Sequence, residues 1–220
     1  MRQFALVIAS LAVCSAAQAA SPHQQGVAAY FGSTDLKSDD GSNSATITGR
    51  ELGVRAALNI SHGVFGRVEY SGFDGNKTIG GAKVNAAVDE FRVGPGYAYK
   101  INDMASVYGE VNYTVISLDA TATAGATSST SSAETNGFIV AVGGSFAPIA
   151  SLSVYGRAGY VSVEDEDTDE KGNGPDLLAG VDYSVSDVFG VFAEYRYSTL
   201  KFDDGDTDLN TYRGGVRVKF

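Results

Sequence analysis

Ten stretches of this sequence alternate between two kinds of side chain with a period of two, and the charges keep to one side of the alternation. In residues 46–60, Leu52, Val54, Ala56, Leu58 and Ile60 interleave with Glu51, Gly53, Arg55, Ala57 and Asn59. In residues 188–202, Phe189, Val191, Ala193, Tyr195 and Tyr197 stand opposite Glu194 and Arg196. A period of two puts alternate side chains on opposite faces of a β-strand. The remaining stretches are 26–33, 64–73, 84–100, 104–118, 137–146, 150–163, 175–185 and the closing 212–220.

The connections alternate in length. Residues 34–45, 74–83, 119–136, 164–174 and 203–208 read as long polar or acidic loops, whereas the chain turns tightly near His62, Asn102, Pro148 and Ser186. An even number of antiparallel strands with short turns at one end and long loops at the other is the pattern of a membrane β-barrel. Most stretches reach the ~9–11 residues a tilted strand needs to cross hydrocarbon. The expected fold is all-β, an antiparallel up-and-down transmembrane β-barrel of ten strands. A soluble sandwich could use the same strands but has no reason to alternate its connections this way. Pro95, without an amide hydrogen, is expected to mark a bulge or a weak place in the ladder.

One face, of Val, Leu, Gly, Ala and aromatics, carries almost no charge. The other carries Glu51, Arg55, Arg67, Glu69, Glu90, Arg92, Glu110, Arg157, Asp182, Glu194, Arg196, Arg213, Arg217 and Lys219. In a closed barrel the apolar face meets lipid and the charged face lines the lumen. Closure follows because an open edge would leave backbone groups unsatisfied in hydrocarbon, at several kcal/mol each. Ions in so narrow a lumen must pair. The spacings Arg67/Glu69, Glu90/Arg92 and Glu194/Arg196 keep opposite charges on one face for cross-strand pairing. A structural plug of salt bridges is the preferred reading of this network, and a narrow path for ions or small solutes is the alternative. Tyr97, Tyr99, Phe146, Tyr183, Phe189 and Phe220 lie toward the short turns, and Tyr70, Tyr160, Tyr197 and Tyr212 toward the long loops. Two such rings suit the two membrane interfaces.

The first residues read as a secretory signal peptide, 1–19: a basic start at Arg2, an apolar run to Cys14, and the small-x-small site Ala17-Gln18-Ala19. A membrane anchor or a lipoprotein at Cys14 fits less well. Residues 20–220 then form one barrel domain. Cys14 is the single cysteine of 220 residues and leaves with the signal, so neither disulfide nor thiol chemistry is expected. A formal charge of −10 argues against nucleic-acid partners.

The closing strand ends on Phe220, with Val218 and Val216 two and four positions before it. This ending resembles that of bacterial outer-membrane barrels, and the chain as a whole resembles the small barrels of the OmpA transmembrane domain, OmpX and opacity-protein group. The resemblance implies a Gram-negative outer-membrane location and contact with outer-membrane lipid and lipopolysaccharide. It also implies that the barrel-assembly machinery reads Phe220, Val218 and Val216. Those relatives usually have eight strands, which makes eight the alternative count. A monomer is expected, with an extracellular ligand or host surface as partner of the loops. No catalytic site is expected. Ten-stranded outer-membrane proteases use acids and a His at the rim, but both histidines here, His23 and His62, belong to the short-turn end. Asp204, Asp206 and Asp208 have calcium-like spacing without the Gly and distal Glu that complete such a loop, so a solvated charge run is preferred, and neither metal nor cofactor is expected.

Overall fold

The computed structural model describes residues 25–39, 44–166, 168–203 and 205–220. The signal segment, Cys14, His23 and Asp204 lie outside them. Ten strands form one closed sheet: β1 (Gly26–Asp39), β2 (Ser44–Ser61), β3 (Val64–Ile79), β4 (Ala82–Lys100), β5 (Ala105–Ala124), β6 (Thr127–Ile149), β7 (Leu152–Asp165), β8 (Lys171–Ser184), β9 (Phe189–Phe202) and β10 (Gly205–Val218). Each strand pairs antiparallel with its neighbours in sequence, and β1 closes the barrel on β10 from Val27↔Val218 to Asp39↔Asp206. The count is ten, not eight. Pro95 produces no register shift: β4–β5 pairing lapses between Val93↔Tyr113 and Gly96↔Glu110 and resumes in the same frame.

Most residues of the five expected long loops instead continue the strands; among the described residues, 166, 168–170 and 203 remain outside them, as do the turns at 80–81 and 125–126. β1 runs on to Asp39 and β2 begins at Ser44. β3 and β4 meet at a two-glycine turn, Gly80 and Gly81, both with positive φ (58° and 85°). β5 and β6 meet at Gly125 (φ 61°) and Ala126. Two-residue turns with positive φ match the twist of the strands they join.

The facing of side chains explains the loop misreading. Toward the short turns the inside is charged and the outside apolar. Phe31, Leu52, Val142, Tyr160, Val191, Tyr212 and Val216 all point outward and are exposed. Toward the long-hairpin end the sense reverses while the alternation continues. Leu36, Ile47, Phe73, Val88, Leu200 and Leu209 point inward, and Lys37, Thr48, Asp74, Asp89, Lys201 and Asp208 alternate with them on the outside. Those inward residues form two apolar clusters, Leu36–Ile47–Phe73–Ala86–Val88 and Ile139–Val161–Val163–Leu200. Below the reversal the wall is built for lipid, and above it the wall is that of a protein in water.

The level of the reversal is marked on the outside by tyrosines bonded to polar neighbours. Tyr70 donates to Asp89 (2.7 Å), Tyr160 to Asn173 (2.7 Å) and Tyr195 to Asn210 (2.8 Å). An aromatic body with a hydrogen-bonded polar tip suits a boundary between hydrocarbon and water. Tyr97, Tyr99, Phe146, Tyr183, Phe189 and Phe220 form the opposite, exposed aromatic belt near the short turns.

Inside, the five hairpins repeat one joint. Tyr30, Phe65, Tyr108, Tyr155 and Phe192, one on each odd strand, lie over Gly53, Gly96, Gly143, Gly180 and Gly215 on the following even strand. A Cβ at any of these glycines would overlap the ring. The same unit is visible in the sequence as Phe65-Gly66-Arg67, Tyr108-Gly109-Glu110, Tyr155-Gly156-Arg157 and Phe192-Ala193-Glu194. The aromatic ring points in, the small residue out and the charge in.

Candidate functional site: a closed lumen and two projecting lobes

The charges predicted for the lumen are brought together there. Arg213 lies 3.0 Å from Glu69, 2.7 Å from Glu194 and 3.8 Å from Glu51. Arg55 pairs with the same Glu194 (2.6 Å). A second group links Arg67 to Glu110 (3.1 Å), Glu110 to Arg157 (2.7 Å), and Glu90 to Arg92 and Arg196 (2.6 Å each). Asp182 pairs with Arg217 nearer the short turns. Aromatic groups complete the shell: Tyr30 donates to Glu69 (2.8 Å) and Tyr155 to Glu194, while the Arg213 and Arg55 guanidinium groups stack over Tyr30 and Phe192 at 4.5 Å. Lys219, the last of the predicted lumen charges, is half-buried at the rim against Ser184.

The centre of the second group was not foreseen. Asp176 is fully buried and receives Arg92 (3.0 Å), Arg196 (3.0 Å) and Arg157 at once. It precedes Asp182 by six residues and so faces the same way. The glycines at 172 and 174 and Pro175 obscured the strand around it. With Asp176 included, seven buried acids (Glu51, Glu69, Glu90, Glu110, Asp176, Asp182, Glu194) meet seven arginines (55, 67, 92, 157, 196, 213, 217). The network is therefore neutral, and the excess acid of the sequence lies outside it.

Above the network two apolar clusters narrow the lumen, and Ile116 packs against both. Between them is a cavity of about 30 Å³, lined on one side by Thr34, Glu51, Ser71, Ser198 and Thr211 and on the other by Phe73, Val88, Ile116, Val161 and Leu200. Such a volume admits about one or two water molecules.

Higher still, the wall divides. β2 and β3 pair only as far as Gly49↔Gly75, and β6 and β7 only as far as Thr135↔Asp165. One lobe consists of the upper parts of β3 to β6, and the other of β7 to β10 with β1 and β2. In the first, β5 and β6 continue to Ala124↔Thr127, roughly 25 Å beyond the seam at ~3.4 Å per residue.

Other candidate residues are placed without forming a site. His62 sits in the β2–β3 turn, bonded to Ser61 (2.6 Å), at the end away from the lobes. Asp206 and Asp208 lie in β10 with side chains on its outer face, and Asp208 accepts from Thr199 (2.8 Å). Among the described residues no cluster of three or more metal-ligating side chains occurs. Phe220, Val218 and Val216 are exposed on the apolar side at the short-turn end. At the β4–β5 turn, Asp103 is held below its ordinary pKa by the hydrogen bond and charge of Lys100, 2.8 Å away.

A closed, outwardly apolar barrel with a charged interior is the architecture of a transmembrane β-barrel. The outer membrane protein beta-barrel domain family matches residues 5–148 and 117–220, and the chain belongs to that family. Among solved structures, the outer-membrane protease OmpT of Escherichia coli is similar in fold, with a TM-score of 0.61 at 9% identity over 92% of this chain and 99% of that one. The neisserial surface protein NspA matches with a TM-score of 0.46, 17% identity and coverage of 89% and 98%. Ail, the attachment invasion locus protein of Yersinia pestis, matches with a TM-score of 0.41, 16% identity and coverage of 89% and 99%. No curated protein matches the sequence.

Proposed function

We propose that this protein is an outer-membrane anchor for a surface-interaction module, with the two lobes as its working part and the barrel as a sealed stem. The observation that carries this proposal is the double filling of the lumen, by ion pairs and by apolar side chains. Seven acids and seven arginines neutralise one another within the membrane-spanning part, and packed Leu, Ile, Val and Phe side chains cap them. A conducting path would have to break several buried ion pairs, at about 3–5 kcal/mol for each partner removed. No comparable obstacle stands outside, where two sheets rise into water with polar outer faces. The orientation follows the barrel-family rule of short turns in the periplasm, which puts both lobes on the cell exterior next to lipopolysaccharide. Catalysis is not part of the proposal, because the described histidine lies at the opposite end from the lobes.

Two measurements test this together. Purified protein in planar bilayers gives no stepwise conductance, whereas stable steps would favour the narrow-pore alternative. Vesicles carrying the full chain adhere to immobilised host extracellular proteins, and vesicles carrying a chain with both lobes cut back to the seam do not. Equal adhesion by the trimmed chain would overturn the proposal.

A further inference from the structure

The first lobe has an uncovered edge. Among the described residues, β6 from Thr127 to Ala133 pairs only with β5: β7 joins at Thr135, and just beyond it Glu166 N–H donates to Glu134 O (3.0 Å). The six residues from Thr127 to Ser132 are exposed. Natural sheets blunt such edges with lysine, proline, bulges or inward charges. The other edge of this lobe, β3 at Asn76–Ile79, carries Lys77, and the facing edge of β7 ends in Glu164-Asp165-Glu166. The segment Thr-Ser-Ser-Thr-Ser-Ser-Ala has none of these devices and keeps a regular register to its tip.

The lobe also has two unlike faces. Outside, hydroxyls and acids pair across β5 and β6: Thr121 with Thr130 (3.2 Å) and Ser132 donating to Asp119 (2.6 Å). Inside, Leu118, Ala120 and Ala122 stand opposite Ala133, Ser131 and Ser129. Leu118 and Ile79 remain 36% and 40% exposed on that face. Small side chains on the last strand leave this apolar face open at the edge.

We infer that the β6 edge from Thr127 to Ala133 is a strand-addition site for an extended peptide segment of a partner protein. The segment alternates apolar residues, set beside Ser131 and Ala133 on the face that carries Leu118 and Ala120, with polar residues that continue the Thr121–Thr130 face. Main-chain hydrogen bonds supply affinity in this mode and alternate side chains supply selectivity. A second copy in the same membrane fits poorly. Both β6 strands would then point the same way, related by an axis along the strands, and the apolar face of one lobe would continue into the polar face of the other.

The inference rests on the surface-interaction proposal and narrows it to one edge. Its test uses the full barrel in lipid nanodiscs and a nine-residue peptide alternating Val and Thr between terminal lysines, with an isomer N-methylated at alternate residues as control. Amide hydrogen exchange across 127–133 slows at least tenfold with the first peptide and is unchanged with the second. The double variant Ser129→Lys/Ser131→Lys, placed on an exposed ribbon that no packing depends on, abolishes the slowing. The inference is overturned if exchange does not slow, if the N-methylated peptide slows it equally, or if it slows with protein concentration alone. Should the edge fail while lobe-dependent adhesion of vesicles persists, only this assignment falls. Loss of that adhesion would remove the broader proposal as well.

Discussion

Replacing Asp176 by Asn probes the interior at its most connected point. The carboxylate is fully buried and accepts from Arg92 and Arg196 at 3.0 Å and from Arg157. Asparagine keeps the shape and removes the charge, leaving three guanidinium groups to share Glu90 and Glu110. Removing one partner of a buried ion pair costs about 3–5 kcal/mol, because the remaining charge stays desolvated. At a urea slope of about 2 kcal/mol/M, that lowers the unfolding midpoint by roughly 2 M. The chain has no tryptophan, so unfolding from lipid vesicles is followed by far-ultraviolet circular dichroism. The exposed pair Lys37–Asp39 (3.4 Å) is the control, where Asp39→Asn changes stability by less than about 1 kcal/mol. Adding Arg196→Gln to Asp176→Asn recovers part of the loss, since one unpaired cation is then removed. If Asp176→Asn shifts the midpoint no more than Asp39→Asn, the arginines are hydrated and the lumen is not closed.

Further outcomes follow from the same geometry. Gly180→Ala sets a Cβ 2.7 Å from the Tyr155 ring and 2.8 Å from Glu194 Cγ, whereas Gly109→Ala meets nothing nearer than 3.9 Å. The first loses about 1–3 kcal/mol by overpacking, and the second leaves the urea midpoint in place. Leu200→Ala opens the outer apolar cluster beside Ile139, Val161 and Val163 and costs about 2–5 kcal/mol. Calorimetric titration of the lobes with millimolar Ca²⁺ shows no saturable heat, and a one-site isotherm would restore the calcium reading of Asp206 and Asp208.

The fold was legible because one face of each strand lacks charge over enough residues to show a period of two, as in Phe189, Val191 and Ala193 against Glu194 and Arg196. The projecting sheets were not legible, and Leu36-Lys37, Thr46-Ile47-Thr48 and Leu200-Lys201 show why. They still alternate, but the apolar residue now faces inward. A pattern that changes sides in mid-strand scores as neither helix nor membrane strand. The charged lumen residues were legible individually, since parity alone assigns them a face. Their partners were not, because Arg213 and Glu69 or Arg92 and Asp176 meet across the barrel through closure. Asp176 itself was masked by Gly172, Gly174 and Pro175, although its parity with Asp182 was available. The aromatic–glycine joint could have been found from the recurrence of an aromatic, a small residue and a charge at Phe65, Tyr108, Tyr155 and Phe192.

The reversal of facing at the tyrosine level is tested most directly along the outer side of β9. The only cysteine is Cys14, so single cysteines at Val191, Ala193, Lys201 and Asp203, all exposed on the outer side, can carry nitroxide labels in vesicles. Oxygen relaxes the labels at 191 and 193, and a water-soluble nickel chelate relaxes those at 201 and 203. Nickel access at 191 and 193, or lipid-like oxygen access at 201 and 203, would contradict the account.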